Sequence, residues 1–341
     1  MSKYNSHQNP TILEGPWITL SAILVFLTCV FVTVLNLFLP NSLAKTLHSN
    51  PTFTSVPLPD TLQEIQSDCS KGECIQACVA HVNNVIQQEH FDFPPSYKGD
   101  DMDLVYYAIS KTDELDKPRK FNVTGDLLPL RENTKAHELI WSYFTGLIPI
   151  ETRPNLVMFG IYTSSTSDGK FDTTLTEKWI MKINILSLED SYYVSSALIH
   201  EYGHYLTLNP TQMEGRKDEW GNCLEDSYYG CQPAGAYLNL FYWKFWDDIY
   251  PEWSDIDYGS KKYDTEINSF YLKYKDRFLN DYAATDPLED IAESWTAFIL
   301  NPTPTGDKIS EQKVKFFYDF PELVELRYQI IKGICTFESS N

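Results

Sequence analysis

Basic residues are scarce in this chain. There are 27 lysines and arginines against 47 aspartates and glutamates, a formal net charge of −20 and a sequence pI near 4.7. A surface that acidic repels phosphate backbones, and no Lys/Arg-rich run or RNA-binding signature overrides it, which excludes nucleic acid as a default partner. No internal repeat is present, so repeat arrays are set aside. Histidine is rare as well, seven in 341 residues, which makes two of them at a ligand spacing informative. What is present suits a folded protein: 43% hydrophobic and 22% charged residues, in a chain long enough for one large domain or two modest ones.

Residues 1–16 form a short N-terminal tail. Trp17 to Leu39 (WITLSAILVFLTCVFVTVLNLFL) then carries no charge at all. As a helix this run reaches roughly 35 Å, enough to cross a hydrocarbon core. A cleaved secretory signal is the alternative, with Ser42-Leu43-Ala44 as its small-x-small site, but signal cores are shorter. The reading is a single-pass cell-membrane anchor over 17–39. Basic residues flanking it are nearly level and set no orientation. Cysteines do better: Cys69, Cys74, Cys78, Cys223, Cys231 and Cys335 all follow the run. An even number suits disulfides in an oxidising compartment, with the body extracytoplasmic. Cys223 and Cys231 bracket a short loop and are expected to pair, while the other four allow three pairings. Reduced thiols in a cytosolic enzyme are the competing account.

Residues 40–61 are rich in Pro, Ser and Thr and read as a linker. The folded domain spans 62–341. Helical apolar spacing at Ile75, Val79, Val82 and Ile86 comes first, then strand-like segments at Leu104–Ser110, Leu156–Ser164 and Trp179–Leu188. In the last, Trp179, Met181, Ile183 and Ile185 share one face, so one side of that strand is buried. From Tyr192 onwards the pattern is mostly helical. Strands first and helices afterwards predict an α+β fold.

Chemistry is concentrated in two stretches. The first is His200-Glu201-Tyr202-Gly203-His204. On a helix, residues four apart lie one above the other, so both imidazoles project towards a common point where they can hold a zinc ion. Glu201 can reach a zinc-bound water and take its proton. Thr207 and Pro210 occupy the positions where a metzincin would carry glycine and histidine. Glu219 and Glu225 lie at distances that suit a third ligand, but neither has an Asp four residues later.

The stronger candidate is DYAATDPLEDIAESWTAFILNP, residues 281–302. Thr285 or Asp286 can cap a helix, Pro287 suits its first turn, and Asn301-Pro302 ends it. Glu289 and Glu293 are four apart and share a face. Glu289 can complete a His₂Glu site, and Glu293 can accept a hydrogen bond from a liganding histidine. Tyr282, just before this helix, can donate to a developing oxyanion.

HEYGH followed by Tyr282-x6-Glu289-x3-Glu293, with Ala292 before the second glutamate, resembles the gluzincin metallopeptidases. It is most similar there to the catalytic domain of anthrax lethal factor and its bacterial relatives. The resemblance covers roughly residues 179–300. It implies a zincin-like fold, with a mixed sheet, an active-site helix and a mainly helical C-terminal part. It implies one catalytic Zn²⁺ held by His200, His204 and Glu289, with Glu201 as general base, Tyr282 at the oxyanion and Glu293 behind a liganding histidine. By the same analogy, Trp179–Leu188 is the sheet edge that pairs with an extended peptide or protein substrate. The expected activity is therefore hydrolysis of peptide bonds by a zinc endopeptidase. Its competitors are a non-catalytic binding or adhesion protein on the same scaffold, and a zinc amidase acting on cell-wall cross-links. His81, His90 and His137 are isolated and read as ordinary helix or surface residues. The aromatic run Tyr237–Trp246 reads as helical packing. Asn122-Val123-Thr124 is an N-glycosylation sequon.

Overall fold

The computed structural model describes residues 73–88, 101–173, 178–219, 221–224 and 228–338. A mixed five-stranded sheet comes from β1 (Met102–Ile109), β2 (Leu115–Lys120), β3 (Leu156–Thr163), β4 (Gly169–Thr173) and β5 (Trp179–Asn184). Across the sheet the order is β2-β1-β3-β5-β4. The β3–β5 pairing is parallel and the other three are antiparallel. The three expected strands are β1, β3 and β5, the interior ones. Trp179, Met181 and Ile183 are buried on one face of β5, while Lys182 on the other pairs with Asp103 and Asp172.

One expectation is corrected here. The strand beginning at Trp179 is not the sheet edge, because β5 is flanked by β3 and β4, and Ile185–Glu189 turns into a 3-10 helix. The edge is β4. The chain steps from β3 across the gap that β5 fills through a turn at 164–168. Asn184 fixes this turn by donating to the carbonyls of Ser164 and Ser167 at 2.9 and 3.0 Å.

The helices are α1 (Glu73–Gln88), α2 (Leu127–Glu132), α3 (Thr134–Leu147), α4 (Ser191–Leu208) and α5 (Pro210–Met213), then α6 (Tyr237–Phe245), α7 (Tyr250–Ser254) and α8 (Tyr263–Lys273). They end with α9 (Pro287–Leu300), α10 (Ile309–Phe316) and α11 (Pro321–Cys335). The core joins Phe159, Ile161, Met181 and Ile183 of the sheet to Val194, Leu198 and Ile199 of α4, and to Ile291, Trp295, Phe298 and Ile299 of α9, all with no exposure. The aromatic run is helical, with Phe241, Phe245 and Trp246 buried. The α+β class stands.

Two helices matter for the site. Asp190 caps α4 by accepting from the Tyr192 amide at 2.7 Å. In α9, Asp286 accepts from Leu288 at 2.7 Å and Pro287 opens the first turn. At its far end Arg327 of α11 donates to the carbonyls of Phe298 and Asn301, satisfying acceptors the helix leaves open. The helices approach closely because position 203 is glycine: a Cβ there would stand 3.3 Å from Ala292 Cα and 3.0 Å from Trp295.

Cys223 pairs with Cys231 as expected, and among the other four Cys78 pairs with Cys335. Cys74 is also disulfide-bonded. These bridges agree with an oxidising compartment. The transmembrane assignment needs correction. The tail 1–16, the expected anchor 17–39 and the linker 40–61 lie outside the described residues. Among the described residues, no helix is long and apolar enough to cross a membrane. The longest, α4, is a core helix that other protein segments bury, with an ionisable cluster on one face. The architecture is therefore an α+β unit, with no membrane-crossing helix among the described residues to support a membrane location.

Candidate metal centre

Five of the expected site residues project from the two closely packed helices, α4 and α9. His200 Nε2 lies 3.1 Å from both Glu289 Oε2 and His204 Nε2, and His204 Nε2 lies 3.3 Å from the same Glu289 oxygen. The two imidazole planes are 80° apart, so their Nε2 atoms converge from different directions. On the other side of His200, Nδ1 donates to Glu293 Oε1 at 2.9 Å. An ionised carboxylate only accepts, so Nδ1 carries a proton, and loss of the second proton from Nε2 would leave its lone pair facing the cluster. The three possible ligand atoms face one another within 3.3 Å. Two imidazoles and a carboxylate so placed are a group that could hold a metal ion.

Electrostatics agree. Burial opposes charging His200, yet Glu289 and Glu293 on either side outweigh it and hold its pKa up at about 10. Burial would raise Glu289 and Glu293, but His200, with His204 beside Glu289 and Asn280 beside Glu293, keeps both below the ordinary carboxylate range. The cluster attracts positive charge, whether a proton or a metal ion.

Glu201 points into the same space. It is only 5% exposed, and its Oε2 has no hydrogen-bond partner among the described residues. Burial raises its carboxyl pKa despite the two histidines nearby. Tyr282 stands beside His200 with ring centroids 6.0 Å apart. Burial and then the neighbouring Glu289 raise its phenol, which stays protonated and able to donate. Glu201, Tyr282, His200 and Glu293 line a cleft of about 280 Å³ whose opposite wall is the 166–169 turn, with Ser196 and Ala197 beside it.

Three contributors were not foreseen. Asn280 donates to Glu293 Oε2 at 2.6 Å and accepts from the Ala283 amide at 2.8 Å, tying the Tyr282 turn to the carboxylate behind His200. Gly169 opens β4 against Glu201, where a Cβ would lie 2.4 Å from Glu201 Cγ. Gly203 sets the helix approach described above. Only Gly203 lay within a recognisable motif; nothing local marks the other two. Glu219 is exposed and outside the ligand group, and Glu225 lies outside the described residues. His137 is a helix residue, in α3, and fully buried, accepting from Tyr107 at 2.8 Å and donating to the Leu130 carbonyl at 2.9 Å.

No protein-family model matches the chain, and neither a curated protein nor a solved structure matches it.

Proposed function

We propose that the chain is a zinc-dependent endopeptidase with a gluzincin-type site. The observation that carries the reading is the convergence of His200, His204 and Glu289, with the unpartnered oxygen of Glu201 beside them. Two imidazoles and one carboxylate with room for a further ligand are a donor set that zinc favours in hydrolytic sites. Bound there, zinc would supply Lewis acidity, lowering the pKa of a water and polarising the scissile carbonyl.

The chain's own groups do the rest. Glu201 takes the proton of the attacking water and returns it to the leaving amine, a double role suited to a carboxyl raised by burial. Tyr282 donates to the oxyanion as it develops. Glu293, held by Asn280, keeps His200 in the tautomer that presents Nε2. An extended peptide would lie along β4, the strand with a free edge beside the cleft.

The test is zinc content by elemental analysis of the 341-residue chain beside Glu289→Ala and Glu201→Gln variants, followed by a peptide-library cleavage assay. The expected result is about one zinc per parent chain, little in Glu289→Ala, and full zinc without cleavage in Glu201→Gln. A parent that takes up no zinc on reconstitution overturns the reading.

A further inference from the structure

Behind the ligand helix lies a charge pair that the proposed chemistry does not use. Asp290 of α9 and Lys313 of α10 are both fully buried. Lys313 Nζ donates to Asp290 Oδ2 at 2.5 Å, and Trp246 Nε1 donates to the same oxygen at 2.7 Å. The ammonium also lies over three aromatic rings, at 4.2 Å from Phe278, 5.7 Å from Trp246 and 5.9 Å from Phe241. Asp290 Oδ1 has no partner among the described residues.

As a source of stability this arrangement is poor. Two charges are stripped of water, one carboxylate oxygen is left unpaired, and packed apolar residues of similar volume usually serve as well or better. What the pair provides is direction. Asp290 follows Glu289 immediately and precedes Glu293 by three residues, so one rotation of α9 moves all three together. A slip of about 10° at a helix surface radius of roughly 5–6 Å displaces a side chain by about 1 Å. Metal–ligand distances tolerate only about 0.2 Å. Apolar packing allows such slips far more readily than a hydrogen-bonded ion pair held at two donors. Phe278 extends the same restraint, because Asn280, two residues on, holds Glu293.

We propose that the buried Asp290–Lys313 pair, with Trp246, is a positioning device that sets the rotation of α9 so that Glu289 and Glu293 meet His200 and His204. The inference rests on the metal-centre reading above. It treats neither residue as catalytic.

The experiment compares zinc affinity, by competition with a chromophoric chelator, and thermal unfolding without metal. Both are measured on the 341-residue parent and an Asp290→Leu/Lys313→Met double variant. The expected outcome is a metal-free melting temperature equal to or above the parent's, with zinc bound about tenfold more weakly or worse. A purely structural pair would change melting and leave the zinc affinity of the folded protein alone. Should the double variant fail to fold, Trp246→Phe removes one donor and keeps the pair; zinc binding weakened several-fold in that folded variant supports the proposal. Parent-like zinc affinity in whichever variant folds overturns it while leaving the metal centre standing. Absence of zinc from the parent itself overturns both.

Discussion

At the scale of single residues, Gly169 shows how a position without chemistry can control one with it. A methyl group there would fall 2.4 Å from Glu201 Cγ and 2.7 Å from its Oε1, so either β4 or the carboxylate must move. The ligands are not in its path. On the proposed peptidase reading, Gly169→Ala is therefore expected to bind zinc as the parent does while peptide hydrolysis falls on the order of 100-fold, the usual penalty for an ångström of misplacement. Equal loss of metal and activity would refute that division. His137 offers a separate test of burial. Its environment lowers its pKa from 6.5 to about 4, first through burial. Between those values the unfolded chain binds a proton that the folded chain does not. Stability is then greatest above pH 6.5 and declines as pH falls towards 4, by about 3 kcal/mol in total. In chelator, urea unfolding of His137→Gln should lose correspondingly less stability between pH 7.5 and pH 4 than the parent. Identical acid losses in the two proteins would refute the assignment.

At the scale of elements, legibility followed burial. β1, β3 and β5 each carry β-branched and aromatic residues because they have neighbours on both sides. The two strands the composition does not reveal are the two edges. β2 reads LDKPRK and is exposed along almost its whole length, and β4 is the five-residue GKFDT. An edge strand needs no apolar alternation and benefits from charge and proline, so its sequence resembles a loop. That is why the zincin analogy places the sheet edge at β5, one strand too far along the chain. The site helices were legible for the opposite reason, since ligand spacing, cap and apolar stripe all coincide in α9. Its cap has a measurable share in the site. Asp286→Ala removes the bond to the Leu288 amide and should cost about 1 kcal/mol, lowering the melting temperature by about 2–4 °C. Asp286→Asn should recover most of it. Full loss in the asparagine variant would show that the charge matters rather than the cap.

At the scale of the molecule, the Cys78–Cys335 bridge closes a separation of 257 residues, joining the first described helix to the end of the last. Apart from the bridge, hydrogen bonds from Ser191 Oγ to the Val79 carbonyl and from His81 to the Phe337 carbonyl hold α1 in place, together with the burial of Ile75, Val82, Val85 and Ile86. Cross-linking residues that far apart removes much conformational freedom from the unfolded chain. Cys335→Ser should lower the free energy of unfolding by about 2–5 kcal/mol, read from urea midpoints at constant slope. The loss should also be local. None of the metal-site residues lies on α1, so the variant should bind zinc as the parent does while proteases cut first within 73–88. Parent-like stability would mean that packing alone holds α1. Loss of zinc together with α1 would mean that the helix and the metal centre unfold as one cooperative unit, coupled through the contact of α1 with α4 at Val79 and Ser191.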